Sequence, residues 1–168
     1  HYRERRQRQM CIRDRDMTAF AKCRISGPGA EEFLDYLVAN KIPKKIGRVN
    51  LCHALNTAGG VHSEFTIAKE KENSFYLVSA GAFQRLDHDW IHKWMPKDGS
   101  VIYENLTNSM GVLVLAGPKS RDILSKITKT DLSNEKFPWL SSKKINVGLA
   151  PSIAMRMNFV GELGWELH

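Results

Sequence analysis

Two segments of this chain set a carboxylate beside glycines, and that pairing has a chemistry. In Leu55-Asn56-Thr57-Ala58-Gly59-Gly60-Val61-His62-Ser63-Glu64 the paired glycines permit a tight turn and let backbone approach a ligand closely, with Glu64 on the strand just after them. In Gly161-Glu162-Leu163-Gly164-Trp165-Glu166-Leu167 glycines again frame an acid, with an aromatic three residues on. An ionised carboxylate only accepts hydrogen bonds, so two such acids suit a ligand rich in N–H donors. The same pattern also describes two hairpins with solvated acids. The residues alone leave both readings open.

Other constellations say less. His88 and His92 sit four apart on an expected helix, beside Asp87 and Asp89, which is the spacing of a metal pair. They fall opposite Trp90 and Trp94, so a solvated face is the expected reading, and no third ligand is placed by sequence. Gly27-Pro28-Gly29-Ala30-Glu31-Glu32 follows a strand but lacks the third glycine of a dinucleotide fingerprint and sets two acids where phosphates would dock. A Rossmann site is rejected. Cys11, Cys23 and Cys52 are odd in number and widely spaced, against both a disulfide framework and a structural zinc site.

The elements that carry these residues alternate in period. Strands are expected at Ala21–Ile25, Arg48–Asn56, Val61–Lys69, Phe75–Ser79, Ser100–Asn105 and Met110–Ala116, with two more near Lys144–Val147 and Ser152–Phe159. One helix follows Pro28, with Phe33, Leu34, Leu37 and Val38 on one face. A second is expected over about Ala82–Met95, with Phe83, Leu86, Trp90 and Trp94 as its buried stripe and Pro96 as its stop. A third runs from Gly117-Pro118 to about Ile127. Ile25-Ser26-Gly27-Pro28-Gly29-Ala30, continued by Phe33, Leu34 and Leu37, matches Leu115-Ala116-Gly117-Pro118-Lys119-Ser120, continued by Ile123, Leu124 and Ile127, at every offset. The fold class expected is α+β, with duplicated strand–helix units and antiparallel sheets.

At 168 residues, 42% hydrophobic and 26% charged, the composition is that of an ordinary globular chain, and no apolar run approaches the length of about 18 residues that a membrane helix needs. The net charge of +7 is unevenly spread: six arginines against three acids in residues 1–16 supply +3 of it, and the other 152 residues carry +4. No aromatics interleave with those arginines, which argues against nucleic acid as a partner. Residues 1–16 have almost no apolar content and read as a basic tail or a non-native extension, so the domain is expected to begin at Met17. No secretory signal is visible. The thiols fit a reducing compartment, either the cytoplasm or, in a eukaryote, the mitochondrial matrix.

From Met17 onward the chain resembles the folate-binding region of the aminomethyltransferase superfamily, shared by the glycine-cleavage T-protein and the C-terminal halves of dimethylglycine and sarcosine dehydrogenases. Leu-Asn-x-x-Gly-Gly at Leu55–Gly60 and Gly-Glu-x-Gly-aromatic-Glu at Gly161–Glu166 carry the match. Asp16-Met17-Thr18-Ala19-Phe20 leading into Ser26-Gly27-Pro28, together with Trp94-Met95-Pro96-Lys97-Asp98, is most similar to the dimethylglycine dehydrogenase branch.

That resemblance implies a tetrahydrofolate site. It places Glu64 where the family has a catalytic aspartate that assists proton transfer as folate nitrogen captures a one-carbon unit. It places Glu162 on the carboxylate that pairs with pterin N–H groups, and Leu55 and Val61 among the folate-binding residues. Leu51 stands where T-proteins tend to have Tyr, and Ala80 where many have Asn. The function implied is the tetrahydrofolate-binding part of an N-methyl amine dehydrogenase that forms methylenetetrahydrofolate, with FAD held only by a separate upstream flavin domain. The family fold continues past the glycine-rich strand, so the chain reads as a fragment, truncated at the C-terminus and inactive by itself. A T-protein-like aminomethyltransferase and a module that only binds folate are the alternatives.

Overall fold

The computed structural model describes residues 13–157 and 161–168, and the chain divides into two compact units. One takes Ala19–Met110; the other joins Gly111–His168 to the described residues before Ala19. Each holds its own five-stranded sheet, and every strand pairing is antiparallel. With three short α-helices besides among the described residues, the class is α+β.

The Ala19–Met110 unit contains β2 (Ala21–Ser26), α1 (Ala30–Leu37), β3 (Val49–Leu55), β4 (Val61–Lys71), β5 (Ser74–Ser79), a 3-10 turn (Gly81–Phe83), α2 (Gln84–Trp94) and β6 (Ile102–Asn105). Its strands lie in the order β3-β4-β5-β2-β6. One sheet face meets the buried side of α1: Phe33, Leu34 and Leu37 join Ile25, Cys52, Ala54, Phe65, Ile67 and Leu77 in a single core. The sheet period of two brings Cys52 and Ala54 inward together, and the helical period does the same for the α1 residues.

The other unit contains β1 (Arg13–Asp16), β7 (Leu113–Ala116), α3 (Ser120–Leu124), β8 (Ser142–Val147), β9 (Ala150–Met155) and β10 (Gly164–Leu167), ordered β1-β7-β10-β9-β8. Its core gathers Leu124, Leu132, Phe137, Ile145 and Ala154 around the fully buried Trp165. Trp165 is therefore a core residue, edge-on to Phe137 at 6.3 Å between ring centres.

Three expectations need correction. The last four residues of the expected tail, Arg13–Asp16, form β1, an edge strand paired with β7 from Arg13–Ala116 to Asp16–Leu113. Strand pairing uses backbone groups, and charged side chains suit an edge strand, so composition concealed it. Residues 1–12, the rest of that segment, lie outside the described residues. Of the expected stripe, Phe83 falls in the 3-10 turn and Leu86 on α2, 57% and 45% exposed, and the buried residues of α2 are Asp87 and Ile91. A carboxylate supplied with two hydroxyl donors can be buried, and the helix turns accordingly. The third helix ends at Leu124, where Ser125 Oγ donates to the Asp122 carbonyl and competes with further helical bonding.

The strand-to-helix turn of the internal repeat recurs in both copies. Gly27 and Gly117 adopt φ of +112° and +121°. After each, the N–H three residues on returns to the glycine carbonyl at 3.0 Å, from Ala30 in one copy and Ser120 in the other. A side chain at Gly27 would collide with the Ser100 carbonyl, its Cβ lying 2.4 Å from that oxygen. Among the described residues no helix is long and apolar enough to cross a membrane.

Candidate functional site

The first glycine-framed acid lies on the β3–β4 hairpin. Asn56 builds the turn, its Oδ1 accepting the N–H groups of Ala58 and Gly60 at 3.0 Å each, while its backbone bonds Gly59 and Gly60. Of the two glycines only Gly59 takes a positive φ, +82°. The register shifts next to the turn, where Ala54 faces Ser63 but Leu55 faces Val61. His62 is the extra residue. This bulge lets Val61 and Glu64, three apart in sequence, lie on one face opposite Leu55 and His53.

That outer face carries a distinct set of side chains. Leu51, Leu55 and Val61 are all exposed, an apolar surface around Glu64, whose side chain is 53% exposed. Glu64 Oε2 lies 3.0 Å from His53 Nε2. His53 is held in turn by Asn40, whose Oδ1 accepts the His53 backbone N–H at 2.8 Å and lies 3.3 Å from Nδ1. On the opposite face Ser63 Oγ donates to Asp87 Oδ1 at 2.5 Å, and Ser79 Oγ donates to Oδ2 at 2.6 Å. One buried carboxylate thus ties α2 to two neighbouring strands directly behind Glu64.

The core side of this region is chemically quiet. Burial, reinforced by the nearby Asp87 charge, pushes the Cys23 thiol up to about 12, and burial alone pushes Cys52 up to about 11. Neither supplies a thiolate near neutral pH. Tyr103 is likewise pushed up to about 12, chiefly by burial. His88 and His92 stack with ring centres 3.9 Å apart, against Tyr103, and among the described residues no group of three or more His, Cys, Asp or Glu is placed to hold a metal.

The second acid, Glu162, projects from an exposed bend before β10, next to Gly161 at φ +76°. The acid at the far end of the same motif, Glu166, is buried in β10, its Oε2 3.5 Å from His168 Nε2. Leu55, Val61 and Glu64 are therefore gathered on one hairpin, while Glu162 belongs to the other unit. Sequence reasoning passed over Asn40 and His53, and set Asp87 beside the histidines of the solvated face instead of under the sheet. His53 shares strand parity with Leu51 and Leu55, which was the available clue.

Which groups these residues could hold follows from the same geometry. The β3–β4 face offers apolar side chains, an acceptor and an open turn, since a Cβ at Gly59 would meet nothing within 4 Å. These are contacts for a partly apolar ligand with N–H groups. The Gly27-Pro28-Gly29 turn does not fit a flavin dinucleotide. Its Gly29 N–H is spent on the Ser100 carbonyl at 3.0 Å, and Glu31 beside it is held by Lys69 and Lys44, whose hydrogen bonds keep its carboxyl below the usual range.

Comparison with known proteins bears on the fold and the family. The chain is 38% identical over 154 residues to mitochondrial dimethylglycine dehydrogenase of Homo sapiens, a match covering 91% of this chain and 18% of that protein. It is 33% identical over 156 residues to the mitochondrial pyruvate dehydrogenase phosphatase regulatory subunit of Mus musculus, with the same coverage of each. The chain thus spans about a fifth of these relatives' length. Its fold is similar to that of the glycine cleavage system aminomethyltransferase T from Bartonella henselae, with a TM-score of 0.79 and 20% identity over 94% of this chain and 41% of that one. Residues 7–168 match the GCVT N-terminal domain, nearly the whole length, and the chain belongs to that family.

Proposed function

We propose that this chain is the tetrahydrofolate-binding part of an N-methyl amine dehydrogenase of the dimethylglycine or sarcosine type, and that its outer β3–β4 face takes up the one-carbon unit as methylenetetrahydrofolate. The observation that carries the reading is Glu64, an exposed carboxylate held by His53 in the middle of the apolar patch of Leu51, Leu55 and Val61. Bound tetrahydrofolate supplies the amine nitrogens that accept the carbon. Leu55 and Val61 would cover one side of the ring system and exclude water. Glu64 would take the proton released as folate nitrogen bonds to the carbon. Glu162 would accept pterin N–H groups in charge-assisted hydrogen bonds.

The whole protein would pair this chain with an upstream flavin domain, which oxidises the amine. The mitochondrial names of the two relatives support a matrix compartment for a eukaryotic protein. A second reading, a module that binds or regulates without turnover, is favoured by the relative named as a regulatory subunit.

Two substitutions in the intact protein separate these readings. Glu64→Gln is expected to leave tetrahydrofolate binding intact and to slow methylenetetrahydrofolate formation about 100-fold. Glu162→Gln is expected to weaken binding by about 1.5–3 kcal/mol. Amine-dependent flavin reduction should not change in either. If both variants bind folate and form product like the parent, the two acids are solvated hairpin residues and the site is wrong; a parent without folate-dependent turnover favours the second reading.

A further inference from the structure

We infer that Glu64 works as half of a proton-sharing pair with His53, and that Asn40 fixes the pair's state. The inference rests on the reading of Glu64 as the group that handles the proton. His53 is a positioning residue in it.

The geometry carries the argument. Only the carbonyl end of an Asn side chain accepts a hydrogen bond, so the His53 backbone N–H at 2.8 Å determines that Asn40 presents Oδ1 to the imidazole. Nδ1 lies 3.3 Å from that oxygen, an attractive contact only if Nδ1 carries a hydrogen. The other ring nitrogen, Nε2, faces Glu64 Oε2 at 3.0 Å. Were both atoms bare, two lone pairs would oppose each other at hydrogen-bond distance. One proton therefore belongs on the line between them, as imidazolium with carboxylate or as imidazole with carboxylic acid. The backbone holds this geometry, because His53 and Glu64 are cross-strand partners and Ala39 N–H bonds the His53 carbonyl at 2.9 Å. The consequence is that Glu64 starts with a proton stored beside it. When Glu64 accepts a proton from a ligand nitrogen, the one already shared can withdraw onto Nε2, and it can return when a leaving group needs it; no proton is gained or lost by the pair over the cycle.

Four forms of the intact protein test this, compared for methylenetetrahydrofolate formation. Expected are an about tenfold lower kcat for His53→Gln, with the tetrahydrofolate KM within about twofold of the parent, and an about 100-fold lower kcat for Glu64→Gln. The double variant should be no slower than Glu64→Gln. If Glu64→Gln is slow and His53→Gln matches the parent, or if the two losses multiply, the pairing is overturned while the role of Glu64 stands. If Glu64→Gln matches the parent, both fall. A readout independent of turnover is the 15N spectrum of the histidine-labelled chain: His53 Nδ1 should carry its own hydrogen, and Asn40→Ala should release it. A bare Nδ1 in the parent would overturn the inference.

Discussion

Glu64 projects from a long paired strand with His53 opposite it and Asp87 anchoring the strand behind it, whereas Glu162 projects from a bend that becomes strand only two residues later. In sequence the two look alike, an acid near glycines with apolar residues following. In the fold their roles diverge. The hairpin invests its buried polar groups in holding an exposed side chain, while the C-terminal motif turns its largest residue, Trp165, and its second acid, Glu166, inward and leaves Glu162 exposed. A carboxylate already fixed before a ligand arrives suits a step that needs geometry, and a free one suits recognition, where the ligand itself completes the arrangement.

The difference can be broken at three places. Trp165→Ala should have the largest effect, destabilising the chain by about 3–5 kcal/mol in denaturant unfolding, as loss of a buried aromatic does; Glu162→Gln, three residues away, should move stability by less than about 0.5 kcal/mol. Equal effects would mean that Glu162 is engaged in the fold. Behind the hairpin, Asp87→Ala leaves the Ser63 and Ser79 hydroxyls without their shared acceptor and should cost about 1–3 kcal/mol. At the turn, Asn56→Ala removes the acceptor of two backbone N–H groups, for a loss of about 1 kcal/mol and a weakened His53–Glu64 contact seen by NMR.

A quieter prediction concerns the thiols beneath the same sheet. Because burial raises Cys23 and Cys52 to about 12 and about 11, the thiolate is scarce below those values and grows only as pH rises toward them. At about pH 8 the folded protein should therefore leave both unlabelled by an alkylating reagent, and both should react once it is unfolded. Labelling of Cys52 in the folded state would show that the hairpin opens.

The strands and the repeat were legible because their evidence is periodic and local. Gly27-Pro28 and Gly117-Pro118 demand the same backbone bend, and the inward alternation of Cys52 and Ala54 is what a half-buried strand requires. The candidate site was legible only through Glu64 and its apolar neighbours. The bulge at His62 was not, since simple alternation places Val61 and Glu64 on opposite faces, and a one-residue shift reverses that. Asp87 hid for a related reason. A helix stripe read by hydrophobicity favours Phe83 and Leu86, but the two serine hydroxyls that make Asp87 the buried residue come from strands distant in sequence. Asn40 and His53 likewise meet only because α1 ends beside β3.

The central claim is that the outer face of the β3–β4 hairpin is where folate lies, and isotope-edited NMR tests it most directly. With tetrahydrofolate bound to protein carrying labelled Leu and Val methyl groups, nuclear Overhauser contacts from the pterin protons should reach Leu51, Leu55 and Val61, and Glu64→Gln should preserve them. Folate that binds without touching these methyls, or that shows its contacts on another face of the sheet, would contradict the account.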